Sequence, residues 1–330
     1  MATTLYTALE DDTQAFYNRV LLVRALPNLL HHLFGITKPL PTKSTRKMTF
    51  RRFNALAVAT TALTEGTTPA GSSLAKTDVT VTISQYGDYI TVSDVASWAS
   101  RDSVLTEAAE VLGEQAGQSI DQVYRDVLVA GTAVTYSNGT ARTAVNTVLA
   151  AAALNKAVRA LKVQNAKFFT RMVKPSSGVG TTPIRVAFWA IVHPDTEFDL
   201  EGISGYIGRA EYPGGTDAMD PYEIGAYKRN IRFVSSTAGK KFAGGGAAGG
   251  SSVKETSALA DVYATLIFGK EAYGIVPLSG HSLENIVKPL GSAGSADALD
   301  QRATSGWKAA TAAVILNDNF MQRIEAAASS

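Results

Sequence analysis

Asp78-Val79-Thr80-Val81-Thr82-Ile83-Ser84-Gln85-Tyr86-Gly87-Asp88-Tyr89-Ile90-Thr91-Val92-Ser93 is the stretch on which the fold turns. Val79, Val81 and Ile83 alternate with Asp78, Thr80, Thr82 and Ser84, the period-two pattern of a strand with β-branched residues on both faces. Tyr89 to Ser93 repeats the pattern, and Gly87-Asp88 between the two runs reads as a turn. Upstream, Met48, Phe50, Phe53, Leu56 and Val58 lead into Leu63-Thr64-Glu65-Gly66-Thr67-Thr68-Pro69-Ala70-Gly71, which is turn chemistry. Residues 51–97 therefore read as a long excursion, strand out and strand back, with a Gly/Pro/Ser tip. A hairpin of that length is marginal in water on its own. Its inner face must pack on another chain or on the rest of this one.

Downstream lies the clearest helix, Arg101 to Ala130. Leu105, Ala109, Leu112, Ala116, Ile120, Val123 and Val127 step by three or four into one apolar stripe. Glu107, Glu110, Glu114, Gln118, Asp121 and Arg125 form the opposite, polar face. Asp102 or Ser103 caps the start and Gly131 stops it. At 1.5 Å per residue such a helix is about 42 Å long, unusual for an ordinary domain. Gly113 and Gly117 within it permit a bend or close packing. A second helix is expected from Leu149 to Asn165, with Leu154, Val158 and Leu161 buried. After Lys174-Pro175-Ser176-Ser177-Gly178-Val179-Gly180 the pattern becomes mixed α/β. Arg185 to His193 is a buried strand, Pro194-Asp195 starts a short helix carrying Phe198 and Leu200, and Ile231–Ser235 and Tyr263–Phe268 are further strands. Ala243 to Ser252 consists entirely of Gly, Ala and Ser and reads as a flexible loop. A strand pattern returns between Gly306 and Ile324.

Upstream of the excursion, Thr13 to Thr64 holds eight basic residues and no acidic one: Arg19, Arg24, Lys38, Lys43, Arg46, Lys47, Arg51 and Arg52. A solvated basic surface and an arm laid against acidic surfaces or phosphates both account for it. Pro27, Pro39 and Pro41 limit helix here, leaving one short helix at Thr13–Ala25 and otherwise extended chain. Such an arm is expected to need another surface to lie on.

The chain has 330 residues, 45% of them hydrophobic and 18% charged, and a net charge of +2. This is globular composition with no global pull toward nucleic acid or membrane. No run approaches the ~20 apolar residues of a spanning helix, and Met1 to Asp12 lacks the pattern of a secretory signal, so a cytosolic start is expected. With no cysteine, disulfides, thiolate metal sites and cysteine catalysis are excluded. Gly178-Val179-Gly180 lacks the third glycine of a dinucleotide turn, and Gly239-Lys240-Lys241 lacks the rest of a phosphate loop. Adjacent His31 and His32 make a poor metal pair. His193 before Pro194 reads as structural. His281 sits near Ser279, Ser282 and Glu284, but no Gly-x-Ser-x-Gly elbow exists. Asp217 and Asp220 lack calcium-loop spacing. No catalytic, cofactor or metal site is expected, and the enzyme reading comes last. A chain of this size without a site points to a protein whose product is a shape.

In its order of elements, the chain resembles the major capsid proteins of tailed bacteriophages, with the Hong Kong 97 phage-type fold, and within them the subfamily typified by the major capsid protein of coliphage N-four. The resemblance is carried by Leu63-Thr64-Glu65-Gly66-Thr67-Thr68-Pro69, Gln85-Tyr86-Gly87-Asp88-Tyr89 with Ser93-Asp94, Val192-His193-Pro194-Asp195, and Asp300-Gln301-Arg302-Ala303-Thr304-Ser305-Gly306-Trp307-Lys308. It implies an α+β fold divided into an N-terminal arm (1–50), an extended loop (51–97), a peripheral domain with the spine helix (98–182), an axial domain (183–290) and a returning segment (291–330). It further implies hexamers and pentamers of this chain closing into an icosahedral head around double-stranded DNA, assembled in the host bacterial cytoplasm. Its partners would be a separate scaffolding protein, a portal and a cement or decoration protein, with no membrane. Arg51, Arg52, Glu65, Lys76 and Asp88 become candidates for fixing the excursion on a neighbouring subunit. Arg19, Arg24, Lys38, Lys43, Arg46 and Lys47 become candidates for facing a neighbour or DNA. An encapsulin-like compartment shell is the alternative within the fold. A β-rich surface binding module, with Trp98, Trp189 and Trp307 lining a groove, is the alternative outside it.

Overall fold

The computed structural model describes residues 21, 24–25, 29–43, 45–68, 70–99, 104–170, 184–213, 222–292, 297 and 299–330, the backbone only at 97–99. In chain order the strands are β1 (Ile36–Thr37), β2 (Lys47–Phe53), β3 (Lys76–Thr82), β4 (Ser84–Ser93), β5 (Val134–Tyr136), β6 (Phe188–Val192), β7 (Tyr206–Gly208), β8 (Glu223–Tyr227), β9 (Ile231–Ser235), β10 (Lys241–Phe242), β11 (Glu255–Thr256), β12 (Leu259–Ala260), β13 (Val262–Phe268), β14 (Tyr273–Pro277), β15 (Glu284–Lys288), β16 (Arg302–Ile315) and β17 (Met321–Ala327). The α-helices are α1 (Asp94–Ala99), α2 (Val104–Val129), α3 (Ala151–Val163) and α4 (Glu197–Glu201). The proposed caps Asp102 and Ser103, the turn at 178–180 and the Asp217–Asp220 pair lie outside the described residues.

Two sheets share one helix. In the first, β16 is central. β4 runs antiparallel along one side of it, from Arg302 opposite Ser93 to Thr311 opposite Ser84. β15 and β14 occupy the other side, and β1 adds to β14 in parallel. In the second sheet the order is β5-β17-β13-β6-β9-β8-β7, with β10 also on β13. β6 and β13 are buried along their whole lengths, as their apolar runs require. α2 buries Leu112, Ala116, Ile120, Tyr124 and Leu128 in one core with Trp189, Ile191 and Leu266 of the second sheet and Ile275, Trp307 and Ala313 of the first. α3 buries Leu154, Val158 and Leu161 against the other face of the second sheet, as expected.

Four expectations need correction. Gly87-Asp88 is not a turn: β4 runs straight through it, with Gly87 paired to Lys308 and Asp88 to Trp307. A Cβ at Gly87 would stand 2.6 Å from the Trp307 carbonyl oxygen, so the glycine serves close approach of two strands. Asp121, assigned to the polar face of the long helix, is fully buried. It accepts hydrogen bonds from the His31 backbone N–H and is paired with His31 Nδ1, both at 2.7 Å. The arm is not homeless within its own chain. Leu21, Leu30 and Phe34 enter the α2 core, with Phe34 stacked 5.3 Å from Trp189. Gly113 is the notch that admits it, since a Cβ there would meet the Leu21 carbonyl oxygen at 2.7 Å. The Ala243–Ser252 loop is laced by backbone bonds: Gly246 to Ala260, Ala247 to Val145 and Gly245 to Phe242. Its lack of side chains lets it lie flat on its neighbours, with Gly246 held against the Val145 carbonyl.

Candidate inter-subunit surface

The excursion is a two-stranded sheet in which Lys47 opposes Thr82 and Phe53 opposes Lys76. Its base is anchored. Phe50, Val81 and Ile83 pack with Leu40, Val276, Ala310 and Ala312 in a small core of their own. Gly274 leaves room for the Phe50 ring, whose tip would lie 2.9 Å from a Cβ at that position. Beyond the base the support ends. Every described residue from 51 to 76 is exposed. Phe53 (58%), Leu56 (55%), Val58 (85%), Leu63 (77%) and Leu74 (62%) are all uncovered. Isolated exposed apolar residues are ordinary, but a run of five on one ribbon marks an interaction surface. At about 1.5–3 kcal/mol for each fully buried large side chain, covering them is a substantial drive to associate.

The charged candidates have separate places. Arg51 Nε donates to Asp78 Oδ1 at 2.9 Å across the ladder, and Lys76 Nζ lies 4.0 Å from Asp78 Oδ2. The Arg51 hydrogen bond holds the Asp78 carboxyl below its usual range. This exposed pair adds a modest preference for the observed register of β2 against β3. Arg52 Nη1 donates to the Leu316 carbonyl at 3.4 Å, tying the ribbon to its own body. Glu65 sits in the exposed tip turn, where Thr67 N–H donates to Thr64 O and Gly66 takes φ +77°. Asp88 lies on β4, away from the tip, and accepts from Gln115 Nε2 at 2.7 Å while Trp307 Nε1 donates to Gln115 Oε1 at 3.1 Å. That relay clips α2 to both β4 and β16. It also joins two of the sequence strings that carry the resemblance.

Of the arm cations, Arg24 bonds Glu110 at 2.5 Å and Glu114 at 3.5 Å on α2. Arg46 Nη2 donates to the Ile83 carbonyl at 3.1 Å, and Lys38 lies 5.6 Å from the Phe50 ring centroid. Lys43 and Lys47 are exposed. Arg19 lies outside the described residues. The charges were legible as a run in the sequence. The apolar tip residues were missed as contact candidates because exposure, not residue type, singles them out.

The histidines and their neighbours make structure. His193 Nδ1 accepts from the Asp195 N–H at 3.1 Å, and burial lowers its pKa despite nearby Asp195. Asp195 in turn accepts from Tyr263 Oη at 2.7 Å and from Lys254 Nζ. His281 pairs with Glu284 on an exposed turn. Trp189 and Trp307 are buried, 6% and 5% exposed, and of the two only Trp307 reaches a surface concavity, over β4, β15 and β16; the Trp98 side chain lies outside the described residues. Among the described residues no group of three His, Cys, Asp or Glu is placed to hold a metal ion, and no helix is long and apolar enough to cross a membrane.

A spine helix crossing two sheets, with an anchored but uncovered ribbon, defines a shell-forming subunit. The chain adopts the Hong Kong 97 phage-type capsid fold. It is similar to the capsid structure of the cyanophage P-SCSP1u (16% identity, 91% of this chain and 89% of that chain covered, TM-score 0.61). It is equally similar to the capsid of Ralstonia phage GP4 (13%, 89% and 87%, TM-score 0.62) and to the head structure of Helicobacter pylori bacteriophage KHP40 (11%, 88% and 87%, TM-score 0.60). No curated protein sequence matches the chain. A family model described as phage capsid protein matches residues 76–318, most of the chain, and the chain belongs to that family. It is a structural protein of the virion capsid, where copies of it make the shell, and not an enzyme.

Proposed function

We propose that this chain is the major capsid protein of a tailed phage of the coliphage N-four type, closing as hexamers and pentamers into an icosahedral head around double-stranded DNA. The observation that carries this reading is the ribbon. Its base packs on its own body, while residues 54–75 carry exposed apolar side chains suited to cover by a neighbour. Head-to-tail contacts of this kind close into rings, and several such ribbons around one ring add up by multivalency. Arg51, Arg52, Glu65 and Lys76 are assigned to this contact region, Arg51 and Lys76 chiefly by shaping the strands that present the tip, whereas Asp88 on β4 is engaged by Gln115 within the subunit. The division into arm (1–50), ribbon (51–97), peripheral (98–182), axial (183–290) and returning (291–330) segments is retained. Tyr273–Pro277 and Glu284–Lys288 pair with the returning β16. A separate scaffolding protein, a portal and a cement protein complete the proposed set of partners.

The test is a shortened ribbon in which residues 55–74 give way to a two-residue turn. The variant is expected to keep the wild-type circular dichroism spectrum and to stay monomeric, while the wild type forms shells in negative stain with its scaffolding partner. Shells from the shortened variant at wild-type yield would refute the reading. Particles filled with an enzyme instead of DNA would favour an encapsulin-like compartment.

A further inference from the structure

A concavity of about 830 Å³ lies away from the ribbon, against α3. Its lining carries six cations, Lys156, Arg159, Lys162, Arg185, Lys228 and Arg229, and no carboxylate. All six are exposed, and among the described residues none of them forms an ion pair. Several basic side chains elsewhere on the body are paired with a carboxylate: Arg24 with Glu110, Arg142 with Glu325, Arg232 with Glu223, Lys240 with Asp126, Lys241 with Asp261 and Lys254 with Asp195. Lys156, Arg159 and Lys162 are spaced by three on one helix face, where like charges repel by a few tenths of a kcal/mol per pair. Such a cluster costs stability unless something anionic occupies it.

The cluster is also built. Asn230, buried and at φ +74°, accepts from Lys162 Nζ at 2.7 Å through Oδ1 and donates to the Val186 carbonyl through Nδ2. Asn230 thereby fixes the β8–β9 turn that presents Lys228 and Arg229 beside α3. The Lys228 stem lies across Gly205, where a Cβ would stand 2.3 Å from its Cδ.

We propose that this cleft binds the phosphodiester backbone of duplex DNA. Three guanidinium forks and three ammonium groups suit phosphate oxygens. No aromatic side chain lines the cleft, so it offers no platform for stacking single-stranded bases. Of its two amides, Asn230 is buried and bonded as described, and the Asn155 Oδ1 accepts from Tyr227 Oη, so the lining offers cations far more than base-reading groups. The contact is therefore sequence-independent. Several acidic side chains of this chain are already engaged. Glu110 and Glu114 are taken by Arg24, Glu197 accepts from Ser235 Oγ, and Asp199 accepts from the Ser329 N–H. The proposal rests on the capsid reading only for the source of the duplex.

The test measures binding of a fluorescent DNA duplex to the full chain by anisotropy across a salt series, with negative-stain microscopy of the same samples. Lys156→Gln/Arg159→Gln/Lys228→Gln/Arg229→Gln is expected to weaken binding by more than about 100-fold at 0.1 M salt. It should also flatten the log–log salt slope by about 3–4, given roughly 0.9 per phosphate contact. Lys38→Gln/Lys43→Gln/Lys47→Gln, on the arm, is expected to bind as the wild type does. If the quadruple variant fails to fold, Arg159→Gln/Arg229→Gln should flatten the slope by about 2. Wild-type affinity in the cleft variants, or equal loss in the arm variant, overturns the proposal. So does binding of inorganic triphosphate that duplex cannot displace. Lost shell formation with unchanged duplex binding overturns it in favour of an acidic face on a neighbouring copy. A wild type that binds duplex through the cleft yet never forms shells would sink the capsid reading and leave the cleft standing.

Discussion

Gly87→Ala separates two accounts of the same dipeptide. In the interior of a strand alanine is favoured over glycine by roughly 0.5–1 kcal/mol through backbone entropy. Gly87 has no positive φ to forbid the change. Against that gain stands a Cβ placed 2.6 Å from the Trp307 carbonyl oxygen, about 0.8 Å inside ordinary contact. The obstacle is backbone in the central strand of a sheet, so it cannot rotate aside, and β4 and β16 must part locally. Overpacking of this kind costs about 1–3 kcal/mol, and each stretched ladder bond about 0.5–1.5 kcal/mol more. The clash wins, and a net destabilisation of about 1–3 kcal/mol is expected. Gly208→Ala is the internal control. Gly208 has φ −65° and ψ 156°, with nothing within 4 Å of its Cβ position, and should gain about 0.4–1 kcal/mol. Guanidinium unfolding of the unassembled subunit, followed by tryptophan fluorescence, reads both. A Gly87→Ala midpoint at or above that of the wild type would show that close approach is not the reason for the glycine.

Asp121→Ala leaves the buried His31 N–H and imidazole without their acceptor, and should cost about 2–5 kcal/mol. Asp121→Asn, which keeps an acceptor for the N–H, should cost less in the same denaturation assay. Asp88 titrates below the usual carboxylate range because Gln115 and then the Tyr89 N–H hydrogen-bond it. The stability it contributes is thus present above the ordinary aspartate pKa and fades as pH falls through the depressed folded value. Gln115→Ala should raise the Asp88 pKa in a carboxyl NMR titration, and an unchanged value would disprove the Trp307–Gln115–Asp88 relay.

Periodicity and apolar runs made the long helices and the buried strands legible, since α2 and α3 follow an apolar pattern of period 3.6, β6 is an unbroken apolar run, and β9 and β13 are mostly apolar. The failures have one physical source. A glycine in a sequence looks the same whether it turns the chain or lets two backbones touch, and Gly87 did the second. Asp121 on a helix looks solvated until His31, ninety residues earlier, arrives to bond it. The ribbon was visible as a pair of strands, yet its working part lay in ordinary residues such as Val58 and Leu63 that only lack of cover distinguishes. The α3 cleft was visible only in part. Lys156, Arg159 and Lys162 share a helix face, but Arg185, Lys228 and Arg229 come from elsewhere in the chain and meet them only after folding.

β16 is the central strand of the first sheet and β17 joins β5 to β13 in the second, and both are among the last parts of this sequence to be made. Until residues 302–327 leave the ribosome, β4, β14 and β15 have no common partner, and β5 is separated from β13. The sticky tip is thus translated some 250 residues before the body that must carry it is finished. Growing chains on one messenger therefore display a surface for association without a geometry to direct it, and the interval is a window for chaperone protection.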